Sequence, residues 1–179
     1  MKLKAILIAI LVSSAFYTCS SDDDSFSSTP ENTDISLITG LNLRSSNVSP
    51  PIQLGNPNIL IDGFLFVTFP NPTSDVLTIQ SNGSISDVWI IPGNAQRIYQ
   101  STDFDAVLDS DLYSEIAIES RSDLQFNDLE ANTLDINIEN LSVGYYRVFM
   151  KINGTIYWDN IYVNGVNFDL LEFMDSWNN

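Results

Sequence analysis

Residues 69–75 read Phe-Pro-Asn-Pro-Thr-Ser-Asp, and the alternating segment Val-Leu-Thr-Ile-Gln at residues 76–80 follows them directly. Pro70 and Pro72 each fix the backbone angle φ and lack the amide hydrogen that a sheet uses. The second proline also drives Asn71 into an extended conformation. The polar residues at 73–75 can then turn the chain by bonding to their own backbone. This stretch therefore predicts a rigid lead into a β-strand.

Alternation on both sides of this stretch indicates further strands. Before it, the apolar residues Ile35, Leu37, Leu41 and Leu43 all have the same parity, which predicts a half-buried strand. The apolar block at residues 59–69 is typical of a central strand. After it, alternation returns over residues 134–139 and 146–152. Turn sequences recur at Asn82-Gly83, Pro92-Gly93, Asn153-Gly154 and Asn164-Gly165. Many short strands joined by tight turns predict an all-β sandwich or barrel.

The C-terminal tail has a different period. Four apolar residues recur at helical spacing, namely Leu170, Leu171, Met174 and Trp177. Asp169 precedes them and is a suitable N-cap, because its carboxylate can accept hydrogen bonds from the first free amides of a helix. The tail therefore predicts one short C-terminal helix.

The proline motif resembles the opening of the type A C-terminal sorting domain of the type IX secretion system, where Pro-Asn-Pro precedes a strand of the form Leu-Thr-Ile. Residues 85–99 are similar to that family's hairpin with a central glycine. Residues 136–163 resemble its closing strand pair, with Leu141 on a family leucine. The sorting-like motif is then Pro70, Asn71, Pro72, Gly93, Gly144 and Tyr146. The resemblance covers most of residues 69–163 and implies an immunoglobulin-like antiparallel β-sandwich with secretion machinery as a partner.

The chain departs from that family in two places. The segment at residues 100–133 is much longer than the family's connection, and residues 164–179 continue past the last strand with an acidic end. We therefore expect the sorting-like fold to be the body of the protein, because a shared fold does not carry a shared function. A true sorting domain that is recognised and removed during export is the alternative.

The N-terminus indicates a signal peptide over residues 1–18. Lys2 and Lys4 precede an apolar segment at residues 5–17, which is shorter than the ~20 residues that span a bilayer. Cys19 follows and is the single cysteine, so no intramolecular disulfide can form. This order resembles the bacterial lipoprotein signal, which implies cleavage before Cys19 and a diacylglycerol on its thiol. The alternative is an inert thiol beside a charged run.

The residues after the cysteine suggest where the protein is exported. The run Ser20, Ser21, Asp22, Asp23 and Asp24 resembles the acidic export signals of surface lipoproteins in Bacteroidetes, which implies an outer-membrane, lipid-anchored protein at the cell surface. Residues 19–34 hold almost nothing to bury and predict a disordered tether. Residues 35–179 then form a single domain.

Composition limits the activity. The chain has a formal net charge of −16 and no histidine. An electropositive track for nucleic acid is not expected in such a chain. Ser-His and Cys-His nucleophile arrangements cannot form without histidine. Paired carboxylates could cleave glycosides, but no spacing among the 23 acidic residues selects a pair. We therefore expect a protein that is not an enzyme.

Two groups of residues are candidate ligand sites. Asp103, Asp105, Asp109 and Asp111 could hold calcium, the one candidate cofactor, but no EF-hand spacing is present and a solvated acidic loop is the preferred interpretation. Tyr157, Trp158 and Tyr162 could stack on sugars or anchor a protein partner if some of them point outward, but packing in the core or between strands is the preferred interpretation. The sequence thus predicts a surface lipoprotein with a binding or scaffolding sandwich. A secreted protein carrying a type IX sorting domain and a glycan-binding surface protein are the alternatives.

Overall fold

The computed structural model describes residues 34–59, 65–99 and 113–178 and confirms an all-β sandwich with a short C-terminal helix. Within these ranges the elements are β1 (Leu37–Ile38), β2 (Gly40–Leu43), β3 (Ile52–Gly55), β4 (Phe66–Phe69), β5 (Val76–Ala95), α1 (Glu115–Glu119), β6 (Leu124–Phe126), β7 (Ala131–Asn137), β8 (Gly144–Ile152), β9 (Thr155–Val163) and α2 (Leu170–Asn178). Two sheets result: β2 pairs with β3, and the other seven strands join through β5.

Strand β5 organises the larger sheet because it takes part in both halves of the sandwich. Its first half pairs with β4 and β7, and its second half pairs with β6 and β8. The register shifts between Gln80 and Asp87, as expected where a strand bends. Strand β9 extends the second half beyond β8, and β1 adds a short parallel pairing at the end of β5.

The two halves enclose the main hydrophobic core. Leu77, Ile79 and Ile136 come from the first half, whereas Val148 and Ile161 come from the second, and all five are buried. Contacts between β4 and β9 cross this core, since the Phe66 and Tyr157 ring centroids lie 6.0 Å apart. Burial of such apolar surface is the main force that holds the halves together.

A third layer covers the opposite face of the β8–β9 pair. Trp89, Phe149 and Trp158 pack there with Ile35, Tyr113 and Ile118 from outside the pair. Farther along the same face, β1 to β3 and α2 contribute Ile38, Leu41, Leu43, Leu54, Phe173 and Trp177. The β8–β9 pair is therefore buried on both faces.

The turns predicted at Asn82-Gly83 and Pro92-Gly93 are wrong, and so is the hairpin centred on Gly93, because all four residues lie inside β5. Close packing explains these glycines instead. A Cβ on Gly83 would lie 2.7 Å from the Ile152 side chain, and one on Gly93 would overlap the side chain of Ile38. Neither position has room for a larger residue. The turn at Asn153-Gly154 is confirmed, with φ of 51° and 87° between β8 and β9.

Two N-terminal predictions also need correction. Residues 35–43 do not form one half-buried strand, because they divide into β1 and β2, and Ile38 and Asn42 of the opposite parity are buried too. Of the block at residues 59–69, the described part forms β4, which pairs with β5 alone, so β5 is the central strand.

The C-terminal helix is confirmed as α2, with Asp169 as its cap. Oδ1 of Asp169 accepts hydrogen bonds from the amides of Leu171 at 2.8 Å and Glu172 at 3.1 Å. The buried face differs from the predicted one, because Phe173 and Trp177 pack against the sheet whereas Leu171 is exposed.

Candidate functional site

Several predicted site residues lie outside the described part of the chain. These are Cys19, the run Ser20, Ser21, Asp22, Asp23 and Asp24, and the four aspartates Asp103, Asp105, Asp109 and Asp111. In the described ranges, no group of three or more histidine, cysteine, aspartate or glutamate side chains is placed to hold a metal ion. Calcium at the four aspartates therefore stays a prediction.

Asn71, in the proline motif, is a buried connector between strands. Its Nδ2 donates to the carbonyls of Asn42 at 2.7 Å and Asn160 at 3.0 Å, while its Oδ1 accepts from the amide of Tyr162 at 3.0 Å. Its backbone exchanges two further hydrogen bonds with Arg44. Pro70 and Pro72 on either side both have cis peptide bonds. The motif thus ties the edge of β9 to β2.

Gly144 and Tyr146 of the sorting-like motif also have structural roles. Gly144 is the first residue of β8, and Tyr146 donates from its hydroxyl to the carbonyl of Ser142 at 2.9 Å. A tyrosine at the start of a strand that bonds back to the chain just upstream is the tyrosine corner of immunoglobulin-like sandwiches. These residues hold the connection that leads into β8.

A second polar connector lies on the covered face of the β8–β9 pair. The Arg147 guanidinium is completely buried and donates to Oδ1 of Asn160 at 3.1 Å and to the carbonyl of Leu37 at 2.5 Å. Nδ2 of Asn160 in turn donates to the carbonyls of Gly40 at 2.9 Å and Pro57 at 2.7 Å. Burial lowers the pKa of Arg147, because it penalises the charged form. These bonds fasten the N-terminal layer to the sandwich.

The three candidate aromatic residues do not form one exposed platform. Trp158 is completely buried, and its indole donates to the carbonyl of Asn58 at 3.2 Å. Tyr157 points to the opposite face and packs against the main core. Tyr162 is half-buried and lines a cleft. Of the three, Tyr162 alone is in a position to contact a ligand in a described cavity.

This cavity, which we call the β9–α2 cleft, has a volume of about 430 Å³. It lies between the end of β9, the following loop and the first turns of α2. The lining residues are Val143, Tyr162, Gly165, Asn167, Phe168, Asp169, Glu172, Phe173 and Ser176. Its size is in the usual range of small-ligand pockets.

Aromatic rings make one side of the β9–α2 cleft. The Tyr162 ring centroid lies 4.4 Å from that of Phe173 and 5.6 Å from that of Phe168, and the two phenylalanines lie 5.4 Å apart. Such mutual packing fixes the rings in place. The ring centroid of Tyr145, which is not among the lining residues, lies 4.9 Å from that of Tyr162. Burial raises the pKa of Tyr145, so this ring stays neutral.

Two carboxylates, those of Asp169 and Glu172, supply the charged part of the cleft lining. Asp169 is held by its cap bonds through Oδ1, which leaves Oδ2 for another donor. Glu172 follows three residues later, and that spacing places two side chains on one helix face. The ion pair found among the described residues is Lys151 with Glu115, so neither cleft carboxylate has a cationic partner there.

Sequence reasoning found Tyr162 as a candidate ligand residue and Asp169 only as a helix cap, and it missed Phe168, Glu172 and Phe173. Helical spacing after the Asp169 cap would have placed Glu172 beside it. The packing of Phe173 under Tyr162 depends on the return of α2 to the sheet, which has no local signal.

No protein-family model, no curated protein and no solved structure matches this chain. Among the described residues, no helix is long and apolar enough to cross a membrane.

Proposed function

We propose that the protein is a non-enzymatic, lipid-anchored cell-surface protein whose β-sandwich is a binding module with the β9–α2 cleft as its ligand site. The cleft carries this proposal. It combines a cavity of ligand size with packed rings and two carboxylates that have no cationic partner in the described part of the chain. An apolar wall with a few convergent polar groups is the usual make-up of a binding site.

The connectors support the sandwich as the working body and speak against a removable sorting domain. Arg147, Asn160 and Asn71 all bond to backbone carbonyls within residues 34–59. If the chain were cut before residue 69 and the two parts separated, these bonds would be lost and the apolar layer around Ile38 and Leu41 would be exposed. Exposed apolar surface of that kind is unfavourable in water.

Intact mass of the protein from the native outer membrane tests the anchor. We expect a mature chain that begins at an acylated Cys19 and still ends at Asn179, with surface labelling of whole cells. The variant Cys19→Ser should lose the acyl mass and leave the membrane fraction. A chain cut before the sandwich, with Cys19 unmodified, would instead support type IX sorting.

A glycan is the second candidate ligand. The observation that favours it is the meeting of the Tyr162 ring with Asp169 and Glu172 in one cleft. Aromatic rings stack on the apolar faces of sugars, and carboxylates accept hydrogen bonds from sugar hydroxyls.

Cleft blocking tests the ligand site while the ligand itself is unidentified. Asn167→Trp would fill the β9–α2 cleft, whereas Asn132→Trp places the same ring on exposed β7. Panels of immobilised oligosaccharides and peptides are probed with the full-length protein and both variants. We expect the binding seen with the unchanged protein to be lost in Asn167→Trp and kept in Asn132→Trp. Equal binding by both variants would contradict the cleft as the site.

A further inference from the structure

The charge of the β9–α2 cleft matches a cation. Asp169 and Glu172 both line it, and no lysine or arginine is among its lining residues. The whole chain carries a formal net charge of −16, which adds a long-range attraction for positive ligands. The carboxylates and the surrounding field therefore act in the same direction.

The aromatic side of the cleft also fits a cationic side chain better than a flat sugar. Tyr162 already contacts the rings of Tyr145, Phe168 and Phe173 within 6 Å, which occupies much of its surface. A sugar needs an open ring face to stack on. A lysine or arginine side chain instead lays its methylene groups along apolar surface and sets its charge beside the rings or a carboxylate.

Two exposed aliphatic residues, Val143 and Val166, lie beside the same cleft and form what we call its aliphatic surround. Val143 is 60% exposed and lines the cleft, and Val166 lies between Gly165 and Asn167, which both line it. Val166 is fully exposed. Apolar residues gathered on one surface with a polar centre are typical of a protein-binding patch.

We infer that the β9–α2 cleft and its aliphatic surround bind a basic, partly apolar segment of a partner protein, with one lysine or arginine side chain inserted between Asp169 and Glu172. This inference rests on the proposed function, because it names the ligand class of the same cleft. The rings receive the methylene part of the inserted side chain. The aliphatic surround receives the apolar residues on either side of it.

Isothermal titration of the full-length protein tests this with two short acetylated peptides, one alternating lysine and leucine and the other alternating glutamine and leucine. We expect the lysine peptide to bind, the glutamine peptide to bind more weakly, and added salt to reduce the difference because it screens charge. Asp169→Asn keeps an N-cap residue and removes the charge. Asp169→Asn and Glu172→Gln should each raise the Kd by roughly twofold to fivefold, as expected for partly exposed ion pairs.

Glu139→Gln is the matched control, since it removes the same charge from an exposed site outside the cleft. If this variant weakens the lysine peptide as much as Glu172→Gln does, the attraction belongs to the net charge and the inference fails. Oligosaccharides with and without free amino groups are titrated alongside. Binding of an oligosaccharide alone, blocked by Asn167→Trp, would overturn the basic segment and leave the proposed function standing. Cleft-independent binding of every probe would overturn both.

Discussion

The two faces of the β8–β9 pair are both buried, but they are built differently. The face toward the opposing half of the sandwich carries Val148, Met150 and Ile161 in one continuous apolar core. The covered face carries aromatic rings and, beside them, the hydrogen-bonded pair Arg147 and Asn160. The first face packs strand against strand, whereas the second receives β1, β2 and the helices.

The difference shows how an added layer is positioned on a sandwich. Apolar contacts are not directional, so they do not by themselves set where a loop or short strand should lie. Buried polar groups must find partners, which fixes the segments that supply them. Arg147 donates to the carbonyl of Leu37, and Asn160 donates to the carbonyls of Gly40 and Pro57. These hydrogen bonds fix the position of the N-terminal layer.

The largest expected effect breaks the covered face. Trp158→Ala should reduce the free energy of unfolding by about 3–5 kcal/mol, because a completely buried ring is replaced by a cavity. Ile161→Ala on the other face should cost about 2–5 kcal/mol by the same mechanism. Urea denaturation of both variants makes the comparison, with Trp158→Phe for the case in which Trp158→Ala does not fold. A Trp158→Ala loss below about 1 kcal/mol would mean that the N-terminal layer does not seal this face.

A smaller loss is expected when the polar connector in the proline motif is removed. Asn71→Ala leaves two carbonyls and one amide without their buried partner, and we expect about 2–4 kcal/mol of destabilisation. Asn132→Ala, at an exposed position of β7, is the control and should change stability by less than about 0.5 kcal/mol. Thermal unfolding measures both. Equal midpoints for the two variants would show that Asn71 is not a connector.

The sequence predicted strands correctly where one face of a strand packs against a single core. Alternation identified β7 and β8, and the turn predicted at Asn153-Gly154 marked the end of β8, because each signal is local. It failed at β5, where Gly83 and Gly93 suggest turns. Each glycine is needed because another side chain comes too close for a Cβ, and that contact depends on distant residues.

The candidate site was predictable to a similar degree. Alternation places Tyr157 opposite Trp158 and Tyr162, so a common platform for all three was already excluded by strand geometry. How much of the face that carries Trp158 and Tyr162 stays exposed depends on the N-terminal layer and α2, and no local pattern reports that coverage. The carboxylate side could have been found, because the Asp169 cap and helical spacing together point to Glu172.

A pH-dependent effect tests a polar exception on the core-facing side, because β9 holds one completely buried carboxyl group there, that of Asp159. Burial raises its pKa, opposed by hydrogen bonds from the Thr68 hydroxyl at 2.5 Å and the Asn160 amide at 2.8 Å. The folded protein therefore binds this proton more tightly than the unfolded chain does. Its contribution to stability is fully present below the unfolded value of about 3.9 and is lost as pH rises through the folded pKa.

Asp159→Asn does not titrate, so its stability relative to the unchanged protein should improve as pH rises across that window. Urea denaturation at a series of pH values gives the difference at each point. Asp128→Asn removes a carboxylate from an exposed position and is measured alongside as the control. A difference for Asp159→Asn that stays constant from about pH 4 to about pH 8 would mean that Asp159 is ionised throughout in the folded state.

The smallest expected effect concerns the tyrosine corner at the start of β8. Tyr146→Phe removes one hydrogen bond to the carbonyl of Ser142 and keeps the ring, so we expect a loss of about 0.5–1.5 kcal/mol. Tyr157→Phe is the matched control, because the Tyr157 hydroxyl bonds to none of the described residues, and its stability should be nearly unchanged. Chemical denaturation resolves the two if their slopes are equal. Equal stability of both variants would show that ring packing alone holds Tyr146, and the corner would then not contribute to the connection into β8.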